Sequence, residues 1–326
     1  MAMGDDIRRA VELLRQGELV ALPTETVYGL GADALNPDAA ARIFAAKGRP
    51  ADHPLIVHLP DAEQLTVWAR DIPKEAIALA RAFWPGPLTM ILKKEEGVPD
   101  VVTGGQDTVG LRVPNHPVAL ELLRAFGSGI AAPSANRFGR ISPTTAEHVR
   151  QELGDRVAMI LDGGACEVGL ESTILDLSRD VPVILRPGAI GVDDIARVIG
   201  RRPRLRGEEA QPDAAPRVSG ALAAHYAPRT PLELVLAENI PAHLQTGDAV
   251  LARRPAPADL PVDVIWIAAP ADPTGYGHDL YAALRSLDES PAVRILVEAL
   301  PDAPEWAAVA DRLGRAAVGS GEDDET

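Results

Sequence analysis

The stretch AMILDGGACEVGLESTILDLSRDVPVILRPG, residues 158–188, decides the fold class. It contains three apolar runs, AMILDGG, STILDLS and PVILRPG, each short and bounded by Gly, Pro, Ser or Asp, which is the pattern of strands. We predict three successive strands with no helix between them. A doubly wound sheet places a helix after each strand, so this stretch favours an α/β fold with a mixed, twisted sheet and helices on its faces.

The chain before this stretch alternates helical and extended patterns. The first helix is amphipathic, with Ile7, Val11 and Leu14 on one face and Gly17 at its end. Apolar periodicity of the helical kind predicts helices over 5–18, 37–48, 72–86, 116–127 and 144–154. Short apolar runs predict strands over 19–23, 54–59, 88–92, 108–114 and 129–135.

The pattern changes after residue 200. Residues 200–217, GRRPRLRGEEAQPDAAPR, have no apolar periodicity and are rich in Pro, Arg and Glu, which is typical of a linker or an extended flap. Beyond it, strands over 231–237, 248–254, 262–269 and 292–300 combine with helices over 277–290 and 305–317 to predict a small, mainly parallel α/β domain. The resulting organisation is a first domain, a linker, a second domain and a disordered acidic tail, over 1–200, 201–228, 229–318 and 319–326.

Composition limits the class of ligand. The 326 residues are 46% hydrophobic and 24% charged, with a formal net charge of −15. Residues 1–200 hold 20 Lys and Arg against 27 Asp and Glu, and the remainder holds 12 against 20, so neither half has the basic surface that nucleic-acid phosphates require. We expect no stable nucleic-acid binding, and an anionic ligand needs a local basic pocket.

The cysteine content and the hydropathy of the sequence bear on disulfide bonds, zinc binding and cellular location. Cys166 is the only cysteine, which excludes an intramolecular disulfide and a cysteine-based zinc site, and its expected role is to fill the core. No apolar run approaches the roughly 18 residues that span a bilayer, and the N-terminus lacks the apolar segment of a signal peptide. A cytoplasmic protein is expected.

One glycine motif needs to be set aside. Residues 29–34, GLGADA, fit a loose dinucleotide-binding fingerprint, but that fingerprint requires a helix to open at once after the strand, whereas Asn36 and Pro37 delay the helix here. The sequence also lacks the phosphate-binding loop of nucleotide triphosphatases and the motifs HExxH and GxSxG.

Polar clusters follow several predicted strands, and cations stand out among them. Arg112 and Arg186 each interrupt an apolar strand just before a proline, where a desolvated guanidinium needs an anionic partner. A structural ion pair and an anionic ligand explain such an arginine equally well. His53 and His58 face opposite sides of an extended strand, which argues against a shared metal. A pocket of Lys, Arg, Ser and Thr side chains without an evident nucleophile suits phosphoryl or nucleotidyl transfer, where positioning and charge stabilisation do most of the work.

Seven motifs occur in order across residues 6–200: PTETVYGLG, KGRPADHPLIVH, WPGPLTMIL, VGLRVPNHP, APSANRFGRISPT, ESTILD and LRPGAI. Together they resemble the YrdC-like threonylcarbamoyl-AMP synthase family, whose paired K-x-R and S-x-N signatures stand here as Lys47/Arg49 and Ser134/Asn136. The downstream part, with HYAPRTPL and LYAALRSLD, resembles the long form of the family, which carries a linker and a Rossmann-like C-terminal domain.

The resemblance implies a nucleotidyltransferase that makes threonylcarbamoyl-adenylate and pyrophosphate from L-threonine, bicarbonate and ATP. The product would feed N6-threonylcarbamoyladenosine formation at position 37 of tRNA, through a separate transferase system. It implies ATP contacts at Lys47, Arg49, His53, Thr108, Ala132, Ser134, Asn136, Ser142, Arg186 and Ser219. It implies threonine contacts at Thr26, His58, Arg112, Ser134 and Ser172.

Within these sets, Lys47 and Arg49 are the expected catalytic pair, which would neutralise the triphosphate as pyrophosphate leaves. Arg112 is expected to bind the threonine carboxylate as a bidentate fork. Mg²⁺ is expected to arrive with the ATP phosphates, so no metal bound by the protein and no tightly bound organic cofactor are implied.

The linker departs from the family pattern. VSGALAAHYAP, residues 218–228, lacks the Pro, Met and Lys of the usual motif but keeps Ser219, His225 and Tyr226. Two other classes remain as alternatives. One is an RNA-binding module with a YrdC-like fold, which the charge count disfavours. The other is a hydrogenase-maturation enzyme with a similar domain, whose Cys-rich zinc segments one cysteine cannot provide.

Overall fold

The structure, a computed structural model, describes residues 2–208 and 215–321. The described residues form two compact units. The first is drawn from the ranges 1–138, 143–167 and 171–221, and the second from 139–142, 168–170 and 222–326. The main boundary falls between 221 and 222, inside the segment 201–228 that the sequence predicts as a linker.

Among the described residues, ten strands of the first unit form one sheet in the order β10-β9-β8-β4-β5-β3-β6-β2-β1-β7. The strands are β1 (Val20–Leu22), β2 (Gly29–Asp33), β3 (Ile56–His58), β4 (Leu88–Lys93), β5 (Thr108–Arg112), β6 (Ile130–Ala131), β7 (Met159–Ile160), β8 (Thr173–Asp176), β9 (Val183–Arg186) and β10 (Arg204–Leu205). The sheet is mixed: β3 pairs parallel with β5 and β4 with β8, whereas β4–β5 and β8–β9 are antiparallel. The three successive strands and the mixed sheet predicted from residues 158–188 are confirmed.

Helices cover parts of both faces of this sheet. They are α1 (Ala2–Arg15), α2 (Pro37–Lys47), α3 (Leu65–Trp68), α4 (Lys74–Phe83), α5 (Asp100–Thr103), α6 (Pro117–Phe126), α7 (Ala146–Leu153) and α8 (Val192–Ile199), with 3₁₀ turns at Ala62–Gln64 and Gly154–Arg156. The predicted apolar face of α1 is buried and packs with α6, β1 and β6 in one cluster. A second, larger cluster joins α2 and α4 to the other strands and contains Cys166, which therefore fills the core as expected.

The second unit contains a four-stranded sheet in the order β11-β14-β12-β13, and all of its pairings are parallel. Its elements are β11 (Leu232–Val235), α9 (Ile240–His243), β12 (Asp248–Ala252), β13 (Ile265–Ala268), α10 (Pro273–Asp288), β14 (Arg294–Glu298), a 3₁₀ turn at Pro304–Trp306 and α11 (Ala307–Gly319). The prediction of a small parallel α/β domain is confirmed.

Some elements differ from the sequence-based expectations. Among the elements that were not predicted, β2 is formed by the GLGAD segment, β10 lies inside the predicted linker and pairs with β9, and the helix α8 follows β9. Ser320 lies in the predicted tail, but its hydroxyl accepts a hydrogen bond from the backbone N–H of Leu232 at 2.8 Å. The rest of that tail, 322–326, and linker residues 209–214 lie outside the described residues. Within the described part of the chain, no helix combines the length and the apolar character needed to cross a membrane.

Candidate active site

A tight turn after β1 fixes the first group of polar side chains. The Thr24 hydroxyl accepts hydrogen bonds from the backbone N–H groups of Thr26 and Val27, both at 3.2 Å, and donates to the Val27 carbonyl at 2.6 Å. Threonine favours such turns because its hydroxyl can replace backbone partners. The turn holds Thr24, Glu25 and Thr26 in fully or almost fully buried positions at the end of β1.

Lys47 is the last residue of α2. Asn36 caps the start of this helix, and Gly48 ends it in the left-handed conformation at φ 63°. The Lys47 ammonium donates to the backbone carbonyls of Ser134 and Asn136, both at 2.5 Å, and lies 3.4 Å from Asn136 Oδ1. The two signature motifs, K-x-R and S-x-N, are therefore joined through this one side chain.

The surroundings of Lys47 lower its pKa well below the ordinary 10.5, chiefly because burial removes water and next because the Arg49 charge lies nearby. All three oxygens that surround the ammonium belong to neutral groups. The Glu152 carboxylate has a smaller, opposite effect on this pKa, and a bound polyanion would add further negative charge.

Arg49 and Arg186 meet at the segment of residues 215–221, which we call the strap. Arg49 Nη2 donates to the Ser219 hydroxyl at 3.1 Å and to the Pro54 carbonyl at 2.9 Å, and the Ser219 hydroxyl also donates to Pro54 O at 2.9 Å. Arg186 Nη1 donates to the Ser219 carbonyl at 3.1 Å. Both arginines are buried, at 7% and 3% exposed, so the strap residue predicted as an ATP contact lies against two cations.

Arg186 also fixes Ser172. Its Nη2 donates to the Ser172 carbonyl at 2.9 Å and to the Ser172 hydroxyl at 3.1 Å, and that hydroxyl lies 2.8 Å from the Thr89 hydroxyl on β4. Thr89 and Ser172 are both buried. One guanidinium therefore contacts both Ser172, which is predicted to bind the substrate threonine, and Ser219, which is predicted to bind ATP.

Arg112, at the end of β5, is held by three groups of the protein. Its Nη2 lies 2.7 Å from Glu25 Oε2, its Nη1 donates to the Thr26 hydroxyl at 2.9 Å, and its Nε donates to the Gly86 carbonyl at 3.2 Å. Arg112 and Glu25 are 4% and 3% exposed. Of the two explanations that the sequence left open for this arginine, the ion pair is present.

His58 lies beside Arg112, because these residues are partners in the parallel register of β3 and β5. Burial, and next the Arg112 charge, lower the pKa of His58 from 6.5 to about 3. The imidazole is therefore neutral at ordinary pH and can serve a ligand as a hydrogen-bond donor or acceptor without adding charge.

The remaining predicted residues take varied positions. His53 is partly exposed and contacts the Phe138 ring edge-on at 5.3 Å, and burial, followed by the Arg49 charge, lowers its pKa. Ala132 donates its backbone N–H to the Ile56 carbonyl at 2.9 Å, and Thr108 begins β5. Ser142 is buried within the segment 139–142, which groups with the second unit; there the carbonyl of Ile141 accepts a hydrogen bond from Arg285 on α10.

A groove of about 270 Å³ lies between the strap and the sheet of the first unit. Its lining includes apolar side chains of β3, β4 and β8, with Thr108, Gly110 and Ser219. This volume includes space that is open to solvent, so the groove is not an enclosed cavity.

The chemistry of this site follows from its charges. Lys47, Arg49, Arg112 and Arg186 are all buried, together with hydroxyl groups and one paired carboxylate, Glu25. Among the described residues, no cluster of three or more His, Cys, Asp or Glu side chains is placed to bind a metal ion. Burial raises the pKa of the Cys166 thiol to about 12, which makes it a poor nucleophile. The arrangement suits the binding of anions and the stabilisation of charge on them.

Sequence reasoning missed several side chains of this site. Glu25 was visible within PTETVYGLG, but nothing local connected it to Arg112. Thr89 lies within an apolar strand, where a threonine is expected simply for its preference for β-structure. The hydrogen bonds between Gln106 and Arg217 of the strap join residues that are 111 positions apart in the chain. These contacts depend on tertiary structure, so no local pattern could have found them.

Two family models match the chain. The model for Sua5, YciO and YrdC proteins, described as telomere recombination, matches residues 12–188. The model described as threonylcarbamoyl-AMP synthase, C-terminal domain, matches residues 190–318. The second model therefore includes the segment 201–228 that the sequence predicts as a linker.

Individual relatives agree with these models. A threonylcarbamoyl-AMP synthase of Pyrococcus abyssi is 42% identical over 95% of this chain and 93% of its own length. One of Bacillus subtilis is 42% identical over 96% and 93%. The crystal structure of P. abyssi Sua5 complexed with L-threonine superposes with a TM-score of 0.84 at 39% identity, over 96% of this chain and 94% of that one. The chain belongs to the threonylcarbamoyl-AMP synthase family, in its two-domain Sua5 form.

Proposed function

We propose that this protein is a nucleotidyltransferase that makes L-threonylcarbamoyl-adenylate and pyrophosphate from L-threonine, bicarbonate and Mg-ATP. The observation that carries the proposal is the joining of Lys47 to Ser134 and Asn136, which unites the two signature motifs in a buried cationic site. Family membership at 42% identity over nearly the whole chain supports it. The ATP and threonine contacts given above remain proposals for individual residues.

We propose that Thr26, His58, Arg112 and Ser172 bind L-threonine, and we call these four residues the threonine half of the site. A relative that is 39% identical binds L-threonine in its crystal structure, which supports a threonine site in this chain. Hydroxyls and a neutral imidazole can hydrogen-bond the threonine hydroxyl, and a site built in this way rejects amino acids that lack that group. Arg112 would bind the carboxylate with the donors that Glu25, Thr26 and Gly86 leave available.

The nucleotide half is proposed around Lys47, Arg49 and the strap. The groove beneath the strap would take the adenosine, with Thr108 and Ser219 on its lining. Lys47, Arg49 and Arg186 would face the phosphates, with Mg²⁺ arriving as part of the substrate. These cations are already desolvated, so they interact strongly with phosphate charge.

The reaction would run in two displacements. The threonine amine attacks the carbon of CO₂ and loses a proton, or attacks the carbon of bicarbonate with loss of water, and either route gives an N-carboxylate. An oxygen of that carboxylate attacks the α-phosphorus of ATP, and the bond to the β-phosphate oxygen breaks to release pyrophosphate. Lys47 and Arg49 would stabilise the charge that moves onto pyrophosphate, and the remaining contacts would hold the two anions in line.

The product would pass to a separate transferase system that modifies tRNA, and both ATP and tRNA are found in the cytoplasm, where we expect the reaction to occur. The basic surface needed to bind tRNA is absent from the sequence composition of either half. The protein would therefore act as the supplier of an activated carbamoyl group.

The proposal is tested by pyrophosphate release from ATP, with threonine and bicarbonate omitted in turn. Turnover should require both, and mass spectrometry should find carbon from labelled bicarbonate in an adenylate of threonine. Lys47→Ala and Arg49→Ala should each lower turnover at least about 100-fold. Arg42→Ala, on an exposed position of the same helix, is the matched control and should retain activity. Turnover that ignores threonine would contradict the proposal.

A further inference from the structure

Glu25 is the one carboxylate that forms an ion pair with a cation of the proposed threonine half, among the ion pairs of the described residues. It is not a member of the signature motifs and it is not among the proposed substrate contacts. At 3% exposure, a carboxylate is costly to bury unless it is paired. Its partner, Arg112, is also buried, so each group compensates the other.

The donors of Arg112 can be counted. A guanidinium has five N–H groups. The Nε–H donates to the Gly86 carbonyl and one N–H of Nη1 donates to the Thr26 hydroxyl, whereas Nη2 lies 2.7 Å from Glu25 Oε2 in an ion pair that lacks the alignment of a hydrogen bond. At least one N–H therefore remains on each terminal nitrogen. Two donors on neighbouring nitrogens are the number that a carboxylate needs for bidentate binding.

Glu25 also controls where those donors point. The guanidinium is planar, so fixing Nη2 against Glu25 and Nε against Gly86 fixes its orientation. Glu25 itself is held by its neighbours, since Thr24 binds the backbone N–H groups of Thr26 and Val27. The same turn thus places Glu25 behind Arg112 and the Thr26 hydroxyl in front of its Nη1.

We infer that Glu25 is a positioning residue for the amino-acid substrate: it holds Arg112 in an orientation in which Arg112 and Thr26 together select and align L-threonine. This inference rests on the proposed function. Glu25 touches no substrate in this scheme, because it acts through Arg112.

The test compares Glu25→Gln with the unaltered full-length chain. The amide keeps the size of the side chain but removes the charge, so the KM for threonine should rise at least about tenfold. The KM for ATP should change by less than about twofold, since Lys47 and Arg49 are untouched. Glu25→Asp keeps the charge on a shorter side chain and should recover part of the loss.

Asp176→Asn is the matched control. Asp176 is fully buried in the same unit and lies 2.7 Å from Arg179 Nε, whose side chain is 27% exposed, so its substitution also breaks the ion pair of a buried carboxylate. Both variants should lower the melting temperature, but only Glu25→Gln should raise the KM for threonine. A double-mutant cycle with Arg112→Gln should be non-additive in that KM, because both substitutions disable the same guanidinium.

The outcomes separate the two proposals. If the unaltered chain shows no threonine-dependent turnover, the proposed function fails and the role of Glu25 fails with it. If the unaltered chain turns over but Glu25→Gln leaves the KM for threonine unchanged, raises both KM values equally, or adds fully to Arg112→Gln, only the inference about Glu25 is overturned.

Discussion

At the scale of single residues, Lys47 shows how the fold prepares a cation for a ligand. Its ammonium is surrounded by neutral oxygens in a site where burial lowers its pKa. A depressed lysine pKa means that the charged form is lost at a lower pH than usual. The charged form of Lys47, which we propose binds phosphate, is therefore lost at a lower pH than the charged form of an ordinary lysine.

This gives a prediction for nucleotide binding. As pH rises toward 10.5, the affinity for ATP should fall well before an ordinary lysine would titrate. Binding calorimetry at increasing pH measures the effect. Lys74→Met, at an exposed position on α4, should reproduce the unaltered profile. A pH-independent affinity would show that Lys47 does not contact the phosphates.

His58 gives a prediction for stability. Its pKa falls from 6.5 in the unfolded chain to about 3 in the fold, so between these values the unfolded state binds a proton that the folded state excludes. Stability is full above 6.5 and is lost as pH falls toward 3. The slope from this one group is at most about 1.4 kcal/mol per pH unit.

Urea unfolding across that pH range measures this slope. His58→Asn should flatten the dependence of the free energy of unfolding on pH, whatever its effect on stability at neutral pH. His243→Asn replaces an exposed histidine and should leave the slope unchanged. An equal slope in the His58 variant and the unaltered chain would contradict a neutral buried imidazole.

At the scale of elements, the strap is held at three consecutive residues, Arg217, Val218 and Ser219. The Gln106 side chain accepts from the backbone N–H of Arg217 at 2.7 Å and donates to its carbonyl at 3.2 Å, and Arg217 donates to the Gly104 carbonyl at 2.6 Å. Val218 packs on Ile56, Ile91 and Ile174 beneath it. Because Val218 and Ser219 of the strap line the groove proposed for the adenosine, we predict that the strap shifts when ATP enters.

Gln106→Ala should therefore loosen the strap. We expect faster trypsin cleavage after Arg217, detected by mass spectrometry of the fragments, and faster dissociation of ATP in a chase experiment. Gln16→Ala, at an exposed position after α1, is the control. Unchanged cleavage in Gln106→Ala would mean that the hydrogen bonds of Ser219 and the apolar contacts of Val218 hold the strap without Gln106.

Elements also show what the sequence could and could not predict. Short apolar runs between Gly and Pro predicted β8 and β9 correctly because both are buried on the sheet. β2 escaped because GLGAD has no alternation of large apolar residues; a Cβ on Gly31 would lie 2.9 Å from Leu22 Cδ2 and from the Val20 carbonyl, so close strand packing requires glycine there. Tertiary pairing, which no local pattern reports, made this segment a strand.

The candidate site was likewise only partly predictable from the sequence. Motifs predicted which residues would gather around Lys47 because they resemble a family, whereas the Arg112–Glu25 pair joins positions 87 apart in the chain. The sequence showed that Arg112 needed an anion but could not say which one. Only the fold identifies it.

At the scale of the whole molecule, a negative net charge is combined with a local site that is rich in buried cations. The net charge is −15, yet four basic side chains are buried in the first unit. A surface of this sign repels polyanions over a Debye length of about 8 Å, while a small anion can enter a local pocket.

We therefore predict no stable complex with tRNA. Fluorescence anisotropy of labelled tRNA should show no binding at about 1 µM protein and an ionic strength of about 0.15 M. ATP binding under the same conditions, followed by calorimetry, serves as the positive control. A salt-sensitive tRNA complex at that concentration would instead support an RNA-binding role.

The double engagement of Arg186 limits how this protein can be redesigned. Since the same guanidinium holds Ser172 and Ser219, we expect a library that varies Ser172 to admit another amino acid to disturb the proposed nucleotide site as well. Thr89, which contacts only the hydroxyl of Ser172 among these groups, is the better position to randomise. Changing the amino acid that is activated without losing ATP should begin on β4.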